Sequence, residues 1–228
     1  MLLQELSRRS GVSTASIKFY RREGLLPPGE RITATRSDYG PHHLDRLQLI
    51  QVMRELAHAS VASVRVLCAA LDDPERPLVA ALEIAQALAL GLDVDLLEPG
   101  IPEDEDPRVR DLLAELGWPD ASSAPRLALG AMLREMEAQQ IPLPPAALLR
   151  YARPMGRIAA EDLRDIRAGG GEDAPPPSAD AIVLRAVVGS ISYSRLLVVL
   201  RALGHASHSI IDADLSRTPD GSAPPRDA

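Results

Sequence analysis

Hydrophobic residues recur at three- and four-residue intervals over most of the chain, the period of amphipathic helices. Leu2–Ser10 predicts a short helix with Leu3 and Leu6 on one face, ended by Gly11 as a C-cap. Ser13 supplies an N-cap for a second helix from Thr14 to about Glu23, closed by Gly24. Leu25, Leu26, Pro27 and Pro28 force an extended path, and the polar stretch 29–38 reads as a loop or short β-hairpin. A third helix starts near Pro41 and carries Leu44, Leu47, Leu49, Ile50 and Met53; a fourth starts at Ser60 with Val61, Val64, Leu67 and Leu71.

Asp72–Pro77 breaks the chain and marks a first boundary. Helix resumes over Leu78–Leu97 with an apolar middle, so this segment serves as a dimerisation helix, a core helix, or both. The acidic, proline-containing stretch 99–107, including Glu103–Asp106, is expected to be a solvated connection, or else to repel DNA non-specifically. Further helices follow over 107–117, over Pro125–Gln140 with Leu127, Leu129, Met132, Leu133 and Met136 inward, and over Pro144–Ala168 with a kink or break at Pro154. Residues 169–178 read as a linker, Ala179–Ile211 as a final helical region, and the polar tail from Arg217 as disordered. The expected organisation is an N-terminal domain over 1–71, a connector over 72–98, a helical domain over 99–216 and a tail over 217–228.

Composition agrees with an all-α protein. Hydrophobic residues make up 46% and aromatics only 3%, so the core is built from Leu, Val, Ile and Ala. Lys18 is the one lysine; the remaining positive charge is arginine, a bias that suggests a GC-rich bacterial genome. The net charge of −7 divides unevenly: residues 1–66 carry +4 and residues 67–228 carry −11. A basic head on an acidic body suits a chain of which one end meets phosphates. No apolar run reaches the eighteen or so residues that span a bilayer, and no secretory signal opens the chain, so the expected location is the cytoplasm. Cys68 is the single cysteine, which excludes an intrachain disulfide and a thiolate metal site.

Two short helices joined by a tight turn fit a helix-turn-helix. The second presents Thr14, Lys18 and Arg21 or Arg22 on one face, with Ile17 turned toward Leu6 and Val12. Such a face enters a major groove, where short polar side chains reach bases and cations reach phosphates. An ordinary solvated basic helix has the same charge pattern. The string LQELSRRSGVSTASIKFYRREGLLPP over 3–28 separates the two readings. Its Ile17-Lys18-Phe19-Tyr20 followed by Glu23-Gly24-Leu25-Leu26-Pro27 strongly resembles the opening of MerR-family regulators. Tyr39, His43, Leu44, Arg46, Leu47, Ile50 and Leu56 match that family's next helix. The resemblance covers about residues 2–71.

It implies a winged helix-turn-helix that binds double-stranded DNA as a homodimer on a pseudo-palindromic operator, with RNA polymerase as a further partner. Carried over, Lys18, Tyr20 and Arg54 meet phosphates, Phe19 packs where relatives present a DNA-facing aromatic, and Thr14 and Ser16 read base edges beside the cap Ser13. Relatives often carry Gly-Tyr-Arg in the wing; here the run is Ala34 to Tyr39, so Tyr39 aligns while Arg31 and Arg36 replace the missing arginine. Ala57 stands where a glycine is common. Arg21 completes the basic face.

In the resembled family the remainder dimerises and often recognises an effector. Trp118, Tyr151 and Tyr193 are the only aromatics beyond residue 39, and either line a pocket for an apolar or cationic ligand or pack in the core. His205 and His208 with Asp212 and Asp214 lack a convergent third ligand and read as a solvated helix end rather than a metal site. No nucleophile–base pair, phosphate loop or paired carboxylate points to an enzyme, and no cofactor is implied. Besides an effector-controlled regulator, two classes remain: a ligand-independent architectural DNA-binding protein, and a regulator whose C-terminal domain docks a protein partner.

Overall fold

The computed structural model describes residues 1–33, 36–92, 100–101, 103–168 and 177–215. Helices α1 (Leu3–Ser10) and α2 (Thr14–Arg22) lead into a two-stranded hairpin, β1 (Glu30–Arg31) and β2 (Ser37–Asp38). Seven further helices follow among the described residues: α3 (Pro41–Glu55), α4 (Val61–Asp72), α5 (Leu78–Ala89), α6 (Pro107–Leu116), α7 (Ala124–Ala138), α8 (Pro145–Ala168) and α9 (Ala179–Leu215). The fold is all-α with a minimal wing, as the hydrophobic period predicts. Two compact units separate within it, Met1–Val187 and Val188–Ala228.

In the first unit, Leu6, Val12, Ile17, Leu26, Tyr39 and Leu47 form a closed cluster that locks α1, α2, the wing and α3 together. The caps are local: Gly11 takes φ 73° and its N–H donates to the Ser7 carbonyl, while Ser60 caps α4 by accepting from the Ser63 N–H. α4 packs on α5 despite the break at 73–77, and α5 packs on α7. Ala81, Ile84, Ala85, Ala87 and Leu88 of α5 are buried in the process. That helix ends at Ala89, and residues 93–97 of the expected longer helix lie outside the described residues.

Four expectations change. Glu105 and Asp106 are not a solvated connection: both side chains are buried, because arginines from the bundle reach them. Arg126 donates to Glu105 at 2.8 Å, and Asp106 caps α6 while pairing with Arg108. With Arg126 buried at 5% exposure, Met132 turns outward to 58% exposure, against the expected stripe on α7, while Leu133 stays inside. α8 runs through Pro154 as one helix, which removes the break of the expected kink or break. Lastly, Ala179–Asp212 is one helix, long and apolar enough by length and composition to cross a bilayer, with mean hydropathy 1.7 in its most apolar window. Counting unbroken apolar runs misses it because Arg185, Arg195 and Arg201 interrupt them.

The first turns of α9 belong to the first unit. Val183 and Val187 are buried, Ser178 donates to Asp45 at 2.7 Å, and Asp180 pairs with Arg46. Arg46 is 3% exposed and also holds Asp72 at 2.7 Å and the Leu25 carbonyl at 3.2 Å. Burial works against its charge, but the two carboxylates outweigh that cost and raise its pKa. Replacing Arg46 by Met leaves Asp180 buried without a counter-charge and is expected to cost about 3 kcal/mol or more in urea denaturation. The double variant R46M/D180L, which removes both buried charges, should lose less than R46M alone; equal or greater loss contradicts this account.

Candidate nucleic-acid interface

The turn between α1 and α2 is built from hydroxyls. Ser7 Oγ donates to the Val12 carbonyl at 2.6 Å, and the Val12 N–H donates to Ser10 Oγ at 3.2 Å. Ser13 Oγ accepts the Ser16 N–H at 3.0 Å and lies 2.8 Å from Ser16 Oγ. This fixes the entry angle of α2 and satisfies one of its orphan donors. Ile17 is fully buried, so the helix has one inward side; Ala15, Lys18, Arg21 and Arg22 are exposed, and Thr14, Ser16, Phe19 and Tyr20 are half-buried.

The far end of α2 is closed twice. Gly24 takes φ 74°, and the Leu25 N–H returns to the Tyr20 carbonyl at 2.9 Å. Arg65 from α4 donates to the Glu23 carbonyl at 2.9 Å and to its carboxylate at 2.7 Å. A cation at a helix C-terminus is favourable, and here it also locks α2 to α4. Sequence reasoning missed Arg65, which lies 42 residues from Glu23. The Arg22 guanidinium lies 5.5 Å from the Phe19 ring centroid, so Phe19 supports a cation without a hydroxyl.

Glu30–Arg31 and Ser37–Asp38 form a hairpin whose register pairs Glu30 with Asp38 and Arg31 with Ser37. Arg31 and Arg36 are both exposed on it, beside Ile32; Ala34 and Thr35 lie outside the described residues. Tyr39 is placed differently from a surface contact. It is 2% exposed, its ring meets His43 edge-on at 5.0 Å, and its hydroxyl accepts from Arg21 at 2.9 Å. Tyr39 therefore aims Arg21 and ties wing to helix. The Met1 ammonium hydrogen-bonds Asp38 and holds that carboxyl below its usual range. Arg54 is exposed and donates to the Ala59 carbonyl in the α3–α4 turn, where His58 takes a left-handed φ of 54°.

Away from this face, Trp118 lines an open groove of about 720 Å³ with Arg153, Gly156, Arg157 and Arg164 of α8. Tyr151 lies under the Arg150 guanidinium at 5.5 Å, and Tyr193 belongs to the second unit. All three aromatics are exposed rather than packed in the core, and the arginines of the groove bias it toward anions. Cys68 is buried, and burial pushes its thiol up to about 11, which makes it inert. No group of three or more His, Cys, Asp or Glu converges on a metal position among the described residues.

A capped helix with a basic outer face, a hairpin carrying two exposed arginines and a shared core fit a DNA-binding transcription regulator. Residues 1–71 match the model of the MerR HTH family of regulatory proteins. The chain is also similar to a crystal structure from Streptomyces coelicolor A3(2), named there as a transcriptional regulator. That likeness has 27% identity and a TM-score of 0.58, and covers 97% of this chain and 100% of the other. None of the curated proteins matches.

Two outcomes follow from the packing around the wing. A Cβ on Gly29 would stand 2.5 Å from the Asp38 carbonyl oxygen, so Gly29→Ala must displace the hairpin. The salt slope of DNA binding should then fall by about 1 for each phosphate the wing no longer reaches, with α2 unchanged; an unaltered slope contradicts a DNA-facing wing. His43 accepts the Gly40 N–H through Nδ1 at 3.0 Å. Burial, and then His42, lower its pKa below the ordinary 6.5. The unfolded chain thus binds the proton first as pH falls, so this stabilisation is complete above pH 6.5 and is lost below it. The melting temperature should drop between about pH 7.5 and 5.5, and His43→Gln should flatten that drop; a parallel drop in the variant contradicts the assignment.

Proposed function

We propose that the protein is a homodimeric, effector-controlled transcription regulator acting in the cytoplasm, with α2 in the major groove of each half-site. The observation that carries this reading is the outer face of α2. Lys18 is exposed for phosphate, Thr14 and Ser16 lie at the N-terminal end where base edges are met, and Tyr39 holds Arg21 alongside. Tyr20, Arg31, Arg36 and Arg54 serve as further contacts to the DNA backbone in this reading.

Dimerisation falls to α9 in this reading, since α5 spends its apolar face on α4 and α7. Tyr193, Leu196, Leu200, Leu203, Ser207 and Ile210 follow one another at alternating steps of three and four, the seam of a two-stranded coiled coil. The five apolar members are between 48% and 63% exposed. A second copy is the fitting occupant because two half-sites require two chains. Crossing a bilayer with the same helix would place Arg195 and either Arg185 or Arg201 in hydrocarbon, at about 2.5–3.5 kcal/mol for each one near the centre. The open groove beside Trp118 supports effector control over a purely architectural role.

A footprint of the purified protein on its own promoter region tests the proposal. Two protected half-sites on one face of the duplex are expected. Lys18→Ala should weaken binding to all sequences and lower the salt slope by about 1, whereas Thr14→Ala should change sequence preference. L200D/L203D should yield a monomer in sedimentation and abolish the paired protection. Absence of any discrete protected site contradicts the proposal.

A further inference from the structure

We propose that the groove beside Trp118 binds a planar aromatic carboxylate, which names the chemical class of effector and so rests on the reading of the C-terminal bundle as a sensing domain. The shape of the groove comes from Ala152, Gly156 and Ala160, which succeed one another every fourth residue along α8 and lay down a smooth floor. The Trp118 ring stands against that floor. A Cβ on Gly156 would come within 2.9 Å of the indole Cζ2, so glycine lets the ring sit there. The indole is nonetheless 40% exposed, leaving it surface for a flat partner to stack on.

The flank of the same helix carries the charge. Arg153, Arg157 and Arg164 line the groove against a single carboxylate, Glu161. Arg153 is already engaged by Glu115 at 3.0 Å. Arg157 and Arg164 are exposed, and neither forms an ion pair or hydrogen bond with a described residue. Planar guanidinium forks match a carboxylate in bidentate fashion, and beside an indole they favour an anion that is itself flat. A volume of about 720 Å³ accommodates a drug-sized molecule. A nucleic-acid strand fits less well, because residues 67–228 carry a net charge of −11 and repel a polyanion while tolerating a small one.

Trp118 is the chain's one tryptophan, so its indole N–H resonance reports on this groove alone. The full-length protein is titrated with naphthoate, with the neutral analogue naphthalenemethanol, and with duplex DNA of unrelated sequence. Saturable displacement of the resonance by naphthoate is expected, with affinity about tenfold lower or worse for naphthalenemethanol and in R157Q/R164Q. Both arginines are exposed, so that variant should melt as the parent does, and the neutral analogue gives the same test without any substitution. No saturable displacement by naphthoate overturns the proposal. So does equal affinity for the neutral analogue, unchanged affinity in R157Q/R164Q, or displacement by DNA in place of naphthoate. Promoter protection by the ligand-free protein is read separately: its absence with naphthoate binding intact contradicts the regulator reading alone, and protection without naphthoate binding contradicts the groove assignment alone.

Discussion

Arg46 holds the molecule's parts in register. Its guanidinium, almost wholly buried, meets the last residue of α4 through Asp72, the loop after α2 through the Leu25 carbonyl, and the first turn of α9 through Asp180. A charge in that position is tolerable only because every side of it is answered. The same constraint makes the helix-turn-helix and the start of α9 one mechanical unit. Arg46 thus links the first turn of α9 to the Leu25 carbonyl just after α2. The wing is held by a second chain of contacts, Met1 to Asp38 and Tyr39 to Arg21, while Arg65 on Glu23 grips the end of α2 from the side of α4.

What the sequence makes legible here is local. Gly11, Ser13, Gly24 and Ser60 mark helix ends by chemistry that acts within four residues, and all four do so in the structure. The Ile17 to Tyr20 string identifies the domain for the same reason: its residues serve one helix and one small core. Distant partnerships are not legible. Asp180 lies 134 residues from Arg46, and an acidic run at 103–106 looks solvated until Arg126 and Arg108 are seen to enter it. Tyr39 aligns with a DNA-facing position, yet its burial can only be read once the wing closes over it.

The helix α9 shows a different failure. Its apolar seam is present in the letters, but arginines at 185, 195 and 201 break every long run, so a search for runs discards it. Periodicity survives such interruptions because the charged side chains lie off the seam. The groove beside Trp118 is hidden in another way: the pairing of an indole with a glycine 38 positions later has no local signature. These features are a basic face on the N-terminal helices, a long helix with an apolar stripe and an acidic bundle with a cationic groove, and on them rest the proposed pairing and effector control.

Hydrogen exchange of the full-length protein, free and bound to the promoter fragment it protects, tests the central claim most directly. The account predicts that protection on binding concentrates in Thr14–Arg22 and in the wing strands Glu30–Arg31 and Ser37–Asp38, with little change in Ala124–Ala168. Protection confined to the helices of the acidic bundle, with α2 exchanging as in the free protein, would contradict it.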